Sequence, residues 1–388
     1  MAEILSAEDF SMNDMYGVFL IAIVIAVVLV WRTMTWLIKI LNLKELNYSL
    51  FEYQMPETEL QGINAVSGEK GKLRDYFVFS SFNSCAGGGY HNNFVDERVL
   101  EHVIGRGVRF LDFEIFSVDN KPVVAVSDNN NFREKGTFNH LDLGTVFSSI
   151  NKMAWSGISP NNSDPLFLQF RIKTKNKGIY NHMANKVNQH FSSRRWKKHT
   201  VGKGNSHDLN AEKITKLNGK IVIICHDDDK TAMLNSSFKD YINLTNGHGT
   251  ELYKLTKDIV NNHSLDSLKD TCKRMLTTCI PDEMDQGDSI NFNQVEYCHK
   301  QGVGSVCLGL SNPDISNDVK AYCNKFNKSS SAFILKPNEL RMWETIVTND
   351  SEQVKSLGLS SDMDPAVAEQ VNASSVNSLM TPPTPGSM

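Results

Sequence analysis

The chain has 388 residues, 40% hydrophobic and 22% charged, which excludes a largely disordered polypeptide and a polytopic membrane protein. A formal net charge of −4 supplies no global basic field, so no nucleic-acid partner is expected.

Residues 1–14 form a short acidic segment that carries Glu3, Glu8, Asp9 and Asp14 and no Lys or Arg. From Met15 to Trp31 the chain reads MYGVFLIAIVIAVVLVW without a charge. As a helix this run spans about 25 Å, at the short end for a bilayer. Arg32 can snorkel, WLI beyond it adds apolar length, and Tyr16, Trp31 and Trp36 sit where aromatic rings favour the interface. The sequence therefore predicts a transmembrane helix over 15–37, with the lipid membrane as its partner. A cleaved signal peptide fits less well, because it wants a basic start and a small-residue cleavage site, whereas this run ends in Trp-Arg. Arg32, Lys39 and Lys44 follow the segment and only acids precede it, so a single-pass protein with its C-terminal bulk in the cytoplasm is expected. A virion membrane is one candidate location. Residues 38–69 read as a mixed linker.

The seven cysteines, at 85, 225, 272, 279, 298, 307 and 323, are odd in number and lack CxxC or zinc spacing, so reduced, buried thiols are expected. Candidate strands are YFVFSS (76–81), RFLDFEIF (109–116), KPVVAV (121–126), LFLQFRI (166–172), KIVIIC (220–225), SVCLGL (305–310) and AFILK (332–336). Between them, FVDERVLEHVIG and LDLGTVFSSINKMAW place apolar residues on one helical face. Alternating strands and helices predict an α/β fold, and the length suits a (β/α)8 TIM-like barrel behind the transmembrane helix. In RFLDFEIF, alternation sends Leu111, Phe113 and Ile115 to one face and Asp112 and Glu114 to the other. Two carboxylates on one face of an apolar strand need a cation, a proton or a basic partner if buried, and water if the strand is an exposed edge. The Ser-, Asp- and Pro-rich tail, 345–388, reads as disordered.

Several of these segments, in order, carry a pattern. FSSFNSCAGG, IGRGVRFLDFEIF, KPVVAVSDNNN and DPLFLQFRIK resemble the X half of phosphoinositide-specific phospholipase C; LNGKIVII, GDSINFNQVEYCHKQGVGSVCLGLSNPD and AFILKPNELR resemble its continuation and Y half. The resemblance implies one phosphodiesterase barrel over 70–344, X-like over about 70–230 and Y-like over about 231–344.

The family's chemistry uses two histidines, a general base and a general acid. Here their positions hold Phe82 and Val126, which carry no proton. His91, His226 and Asp128 are weak stand-ins, and His140 lies in another loop. The family's calcium ligands align with Asn83, Asp112, Glu114 and Arg171, the last in place of a carboxylate. An Arg there implies an ion-pair cluster instead of a metal, so no cofactor is expected, calcium being the one if the family site is retained. Family phosphate-binding positions hold Ile224, His226 and Thr278, which thins the positive charge of the pocket. In SSRRWKKH, residues Arg194, Arg195, Trp196, Lys197 and Lys198 suit contact with an anionic leaflet, or equally a solvated loop.

The expected function is a membrane-anchored, catalytically degenerate phospholipase C-like protein serving as a scaffold or protein-binding module. The alternatives are a phosphoric diester hydrolase with rearranged residues and a non-catalytic binder of anionic phosphoinositide headgroups.

Overall fold

A computed structural model of the chain describes residues 12–52, 58–66, 71–88, 92–127, 135–261, 265–282, 291–310 and 317–342. The acidic segment to residue 11 and the tail expected over 345–388 lie outside the described residues.

The first element is one long helix, α1 (Met12–Glu52). Its stretch from Met15 to Tyr48 is long and apolar enough to cross a membrane. The linker expected from residue 38 is helical as far as Glu52. Residues 38–52 contain neither Gly nor Pro, and their Leu, Ile, Lys and Glu content sustains a helix instead of ending it.

The strands are β1 (Tyr76–Val78), β2 (Ser80–Ser81), β3 (Phe110–Val118), β4 (Lys121–Ala125), β5 (Leu141–Asp142), β6 (Leu166–Ile172), β7 (Ile221–His226), β8 (Leu244–Asn246), β9 (Gly249–Lys254), β10 (Leu276–Ile280), β11 (Ser305–Val306) and β12 (Phe333–Leu335). A parallel ladder runs β3–β6–β7–β8–β9–β10–β11–β1, and β2, the continuation of β1, pairs back onto β3 through Ser80 and Phe110. Ser81 also bridges to Leu308, so the staves curl into a ring. Only Gly247 and His248 separate β8 from β9, so the two form a single kinked stave without a crossover helix, and the barrel is an irregular α/β one. β12 lies antiparallel on β1. β3 and β4 form a hairpin turning at Asp119 and Asn120, both left-handed (φ 49° and 59°), as a two-residue hairpin turn requires.

Helices α2 (Val99–Gly105), α3 (Leu143–Met153), α4 (Ile179–Phe191), α5 (Leu265–Arg274), α6 (Phe292–Lys300) and α7 (Asn317–Lys328) pack outside the strands. Asp142 caps α3 by accepting from the amides of Gly144 and Thr145, and the helix buries Leu143, Val146, Phe147 and Ile150. Gly107, between α2 and β3, has φ +84°, and a side chain there would strike Leu60. Phe147 and Phe113 both meet the ring of Phe170, which ties α3 to neighbouring staves. All seven cysteines are free thiols, six of them buried.

Every segment expected as a strand contains one: 166–172 matches in full, 109–116 and 220–225 shift to end at Val118 and His226, 76–81 divides into β1 and β2, and 305–310 shortens to Ser305–Val306. Sequence reading missed β5, β8, β9 and β10. β9 (GTELYK) is too polar to stand out by hydrophobicity, and LTTCI of β10 is signalled only by its β-branched threonines.

Candidate functional site

The inward faces of β3 and β6 meet at the mouth, the C-terminal ends of the staves. Parallel register sets Asp112 beside Gln169 and Glu114 beside Arg171. Alternation along LFLQFRI sends Gln169 and Arg171 to the same face, while Leu168, Phe170 and Ile172 face the helices. Four polar side chains therefore converge in a barrel interior where Asp112 is 0% and Arg171 5% exposed.

Arg171 binds Asp112, Glu114 and, from the loop after β2, Asn83. Its Nε donates to Asp112 Oδ1 at 2.9 Å and its Nη2 to Asp112 Oδ2 at 2.8 Å, a bidentate pair. Nη1 donates to Glu114 Oε1 at 2.8 Å, and Nη2 also to Asn83 Oδ1 at 2.8 Å. The remaining carboxylate valences are filled as well. Gln169 Nε2 donates to Asp112 Oδ1 at 2.8 Å, and the Ser127 amide donates to Glu114 Oε2 at 2.8 Å. Burial by itself would lower the pKa of Arg171, but the carboxylates of Asp112 and Glu114 outweigh it and raise the value.

The two positions where the family's histidines align border this cluster. Phe82 is buried, and its ring lies under the Arg171 guanidinium at 4.6 Å. Val126 is buried and precedes Ser127, the residue that holds Glu114. Both are packed apolar side chains. Of the stand-ins, His91 and Asp128 lie outside the described residues, and His140 is exposed on the rim. His226 is buried at the end of β7 and meets Gln169 Oε1 through its Nε2 at 3.1 Å. Burial pulls its pKa down to about 4, with Asn246 and Asp112 pushing back, so the ring is neutral near pH 7.

The calcium that the sequence resemblance implies does not fit this donor set. The oxygens it would need on Asn83, Asp112 and Glu114 accept hydrogen bonds from Arg171, and a guanidinium would repel a dication. No group of three or more His, Cys, Asp or Glu able to hold a metal occurs among the described residues.

The mouth is less poor in positive charge than the sequence suggested. Ile224 and Thr278 are buried and carry no charge, but two lysines, one just after Arg171's own stave and one on β9, are close enough to interact electrostatically with Arg171. Lys173 follows β6; burial lowers its pKa, Glu114 raises it and Arg171 lowers it further. Lys254 ends β9 and donates to the Asp282 carbonyl at 2.9 Å; burial, then Arg171 and Lys173, push its pKa down to about 8. The lysine after LFLQFRI was visible in the sequence. Lys254 was not, because its stave went unrecognised.

The basic segment 194–198 sits elsewhere. The Trp196 amide donates to the Ile221 carbonyl, at the start of β7 and the opposite end of the barrel from the mouth. Arg194 stacks over Trp155 at 4.4 Å, and Arg195 stacks over Tyr241 at 4.4 Å and donates to the Asp240 carbonyl. Trp196 packs against the core, leaving Lys197 and Lys198 as the exposed pair. The arginines and the tryptophan are thus engaged by the protein itself.

One pH effect follows from these burials. In the unfolded chain histidine takes up a proton near 6.5, whereas folded His226 and His102, lowered by burial, do so only near about 4. The unfolded state therefore binds more protons between those values, and stability falls as pH drops from about 6.5 toward 4. Asp164, raised by burial to about 6, opposes this in part. His226→Gln is expected to flatten the decline between pH 7 and pH 5, measured by urea unfolding; an unchanged slope would show that His226 does not contribute.

No protein-family model matches the chain, and no curated protein matches it in sequence. Among solved structures, PLC21 of L. pealei superposes with a TM-score of 0.54 at 15% identity, over 71% of this chain and 38% of that one. PLC21 of S. officinalis does so with a TM-score of 0.53 at 14% identity, over 72% of this chain and 39% of that one. A calcium-dependent phosphoinositol-specific phospholipase C from the Gram-negative Pseudomonas sp. aligns at 8% identity and a TM-score of 0.42, over 72% of this chain and 99% of that one. The aligned part spans 38–39% of the two PLC21 structures. The barrel has the fold of a phospholipase C.

Proposed function

We propose that this is a membrane-anchored phospholipase C-fold protein whose barrel no longer hydrolyses phosphodiesters and serves as a binding module at the membrane. The observation that carries the reading is the Arg171 cluster. A guanidinium bonded to Asp112, Glu114 and Asn83 occupies the place where the sequence resemblance puts a metal, and Phe82 closes it from one side. Each missing acid or base removes about 10²–10⁴ in rate, so the loss of both leaves turnover at least about 10⁴-fold below that of an intact pair. The apolar stretch of α1 supports a single bilayer span, with Arg32, Lys39 and Lys44 favouring a cytoplasmic barrel.

A second reading, a non-catalytic reader of an anionic headgroup, has its own support. Asn83 Nδ2 is a buried donor with no hydrogen-bond partner among the described residues, and Lys173 and Lys254 add positive charge near Arg171. An anionic oxygen ligand would satisfy that donor.

A hydrolysis assay tests the first reading and a binding assay the second. Full-length protein in phosphatidylinositol-containing vesicles, with and without calcium, is expected to release no inositol phosphate. Release that depends on the protein overturns the non-catalytic reading. Soluble inositol phosphate retained by the wild type and lost in Lys254→Glu supports the headgroup reading, and equal retention by both removes it.

A further inference from the structure

The C-terminal part of α1 touches the barrel, and the order of those contacts has a direction. Residues 15–41 are exposed apart from Gly17. Lys39 lies over the Phe138 ring at 5.8 Å, Asn42 Nδ2 donates to the Asn92 carbonyl at 2.6 Å, and Asn47 Oδ1 accepts from Arg98 at 2.9 Å. Leu46, 2% exposed, is the buried anchor. It fills a notch at Gly87 where any side chain would collide with its methyl groups. Gly87, Asn92 and Phe138 belong to the loops that follow β2 and β4, on the mouth side.

Beyond α1 the chain reaches the other end of the barrel. Leu60 packs at Gly107, just before β3, and the Ile63 amide donates at 2.7 Å to Asp164, just before β6. Followed backwards, the chain therefore climbs from the N-terminal ends of the staves to the rim, and its apolar half continues past it.

We infer that α1 is a rigid strut, docked through Leu46 in the Gly87 notch, that holds the barrel mouth against the headgroups of the bilayer that α1 itself spans. The inference rests on the membrane-span reading above. From Leu37, the last residue of the expected span, to Lys39 is about 3 Å along a helix axis, and to Leu46 about 13 Å. The Phe138 rim therefore falls at headgroup depth, since the layer outside the hydrocarbon is about 5–8 Å thick on each side. Lys135, whose Nζ donates to the Thr137 carbonyl beside Phe138, lies at the same rim as Lys39. Burial and then Lys39 lower the pKa of Lys135, and a lipid phosphate between the two would relieve their repulsion. In this pose the mouth cluster faces lipid, and the basic segment 194–198 faces away from the membrane that α1 crosses.

The test uses the full chain in phosphatidylcholine vesicles with a minor fraction of phosphatidylserine and headgroup-nitroxide lipid. In a Cys323→Ser background, one fluorophore is attached at His140→Cys on the rim or at Ser163→Cys at the opposite end. Quenching of the rim probe is expected to exceed that of the other several-fold, and Gly87→Val, which evicts Leu46, is expected to abolish the difference. Equal quenching of both probes, or a difference that survives Gly87→Val, overturns the docked pose while the protein stays in the membrane after alkaline extraction. Release of the chain by alkaline extraction instead overturns the span reading on which the pose depends.

Discussion

Replacing Arg171 by methionine is expected to destabilise the folded chain by about 3–5 kcal/mol, the usual cost of stripping one partner from a buried ion cluster. Asp112 and Glu114 are 0% and 2% exposed, and Arg171 is the cation hydrogen-bonded to both. Without it, at least one carboxyl must take a proton or draw water into the barrel. For a domain of this size the loss corresponds to a fall in Tm on the order of 10 °C. Arg171→Lys is expected to recover only part, because an ammonium cannot make the bidentate contact to Asp112 and still reach Glu114 and Asn83. Arg171→Glu should be worse than methionine in calcium-free buffer, since it places a third carboxylate beside the first two. Added calcium should then raise its Tm, because three carboxylates and Asn83 make an oxygen-rich site. A methionine variant with wild-type Tm would show that the cluster is not needed for stability. A glutamate variant indifferent to calcium would refute the idea that Arg171 stands where a metal could.

Arg109→Leu is the second large loss expected. Arg109 is 0% exposed at the base of β3, and among the described residues its hydrogen-bond partners are all uncharged. Its Nε donates to Asn161 Oδ1 at 3.1 Å, its Nη1 to the Ala154 carbonyl at 3.0 Å, and its Nη2 to Ser159 Oγ at 2.6 Å and to the Asn161 carbonyl. The side chain thus fastens the 154–161 loop beneath the barrel. Burial draws its pKa down to about 10, with Asp164 pushing back, so it stays charged at neutral pH. Leucine would leave several acceptors buried and unpaired at about 1–3 kcal/mol each, so a destabilisation of at least about 3 kcal/mol is expected from the urea midpoint. A change below about 1 kcal/mol would mean that the loop closes without Arg109.

Much of this was legible in sequence where the signal is local. The uncharged run after residue 14 marks an apolar helix, because its composition alone decides whether it prefers lipid to water. Alternation in RFLDFEIF puts Asp112 and Glu114 on one face of the strand, because side-chain direction in a strand has a period of two, while the inward placing of that face and of Gln169 and Arg171 came from the fold. The motif order indicated the phospholipase C fold even though each motif is imperfect.

What spacing could not supply is contact between distant parts of the chain. That Arg171 reaches Asn83 as well as both carboxylates depends on how the β2 loop folds over β3. Lys254 nears Arg171 only because β9 curls round in the ring, and the basic run 194–198 lies away from the mouth because of where it pairs on β7. The helix continues past residue 37 for local reasons, but its seat on the barrel depends on a glycine forty-one positions after Leu46. The sequence by itself determined an apolar helix, two carboxylates sharing one face of a strand and a phospholipase C-like order of motifs. The tertiary structure alone decided how Arg171 divides its bonds among Asp112, Glu114 and Asn83 and which end of the barrel the apolar helix leaves from, because both depend on through-space distances that no local periodicity encodes.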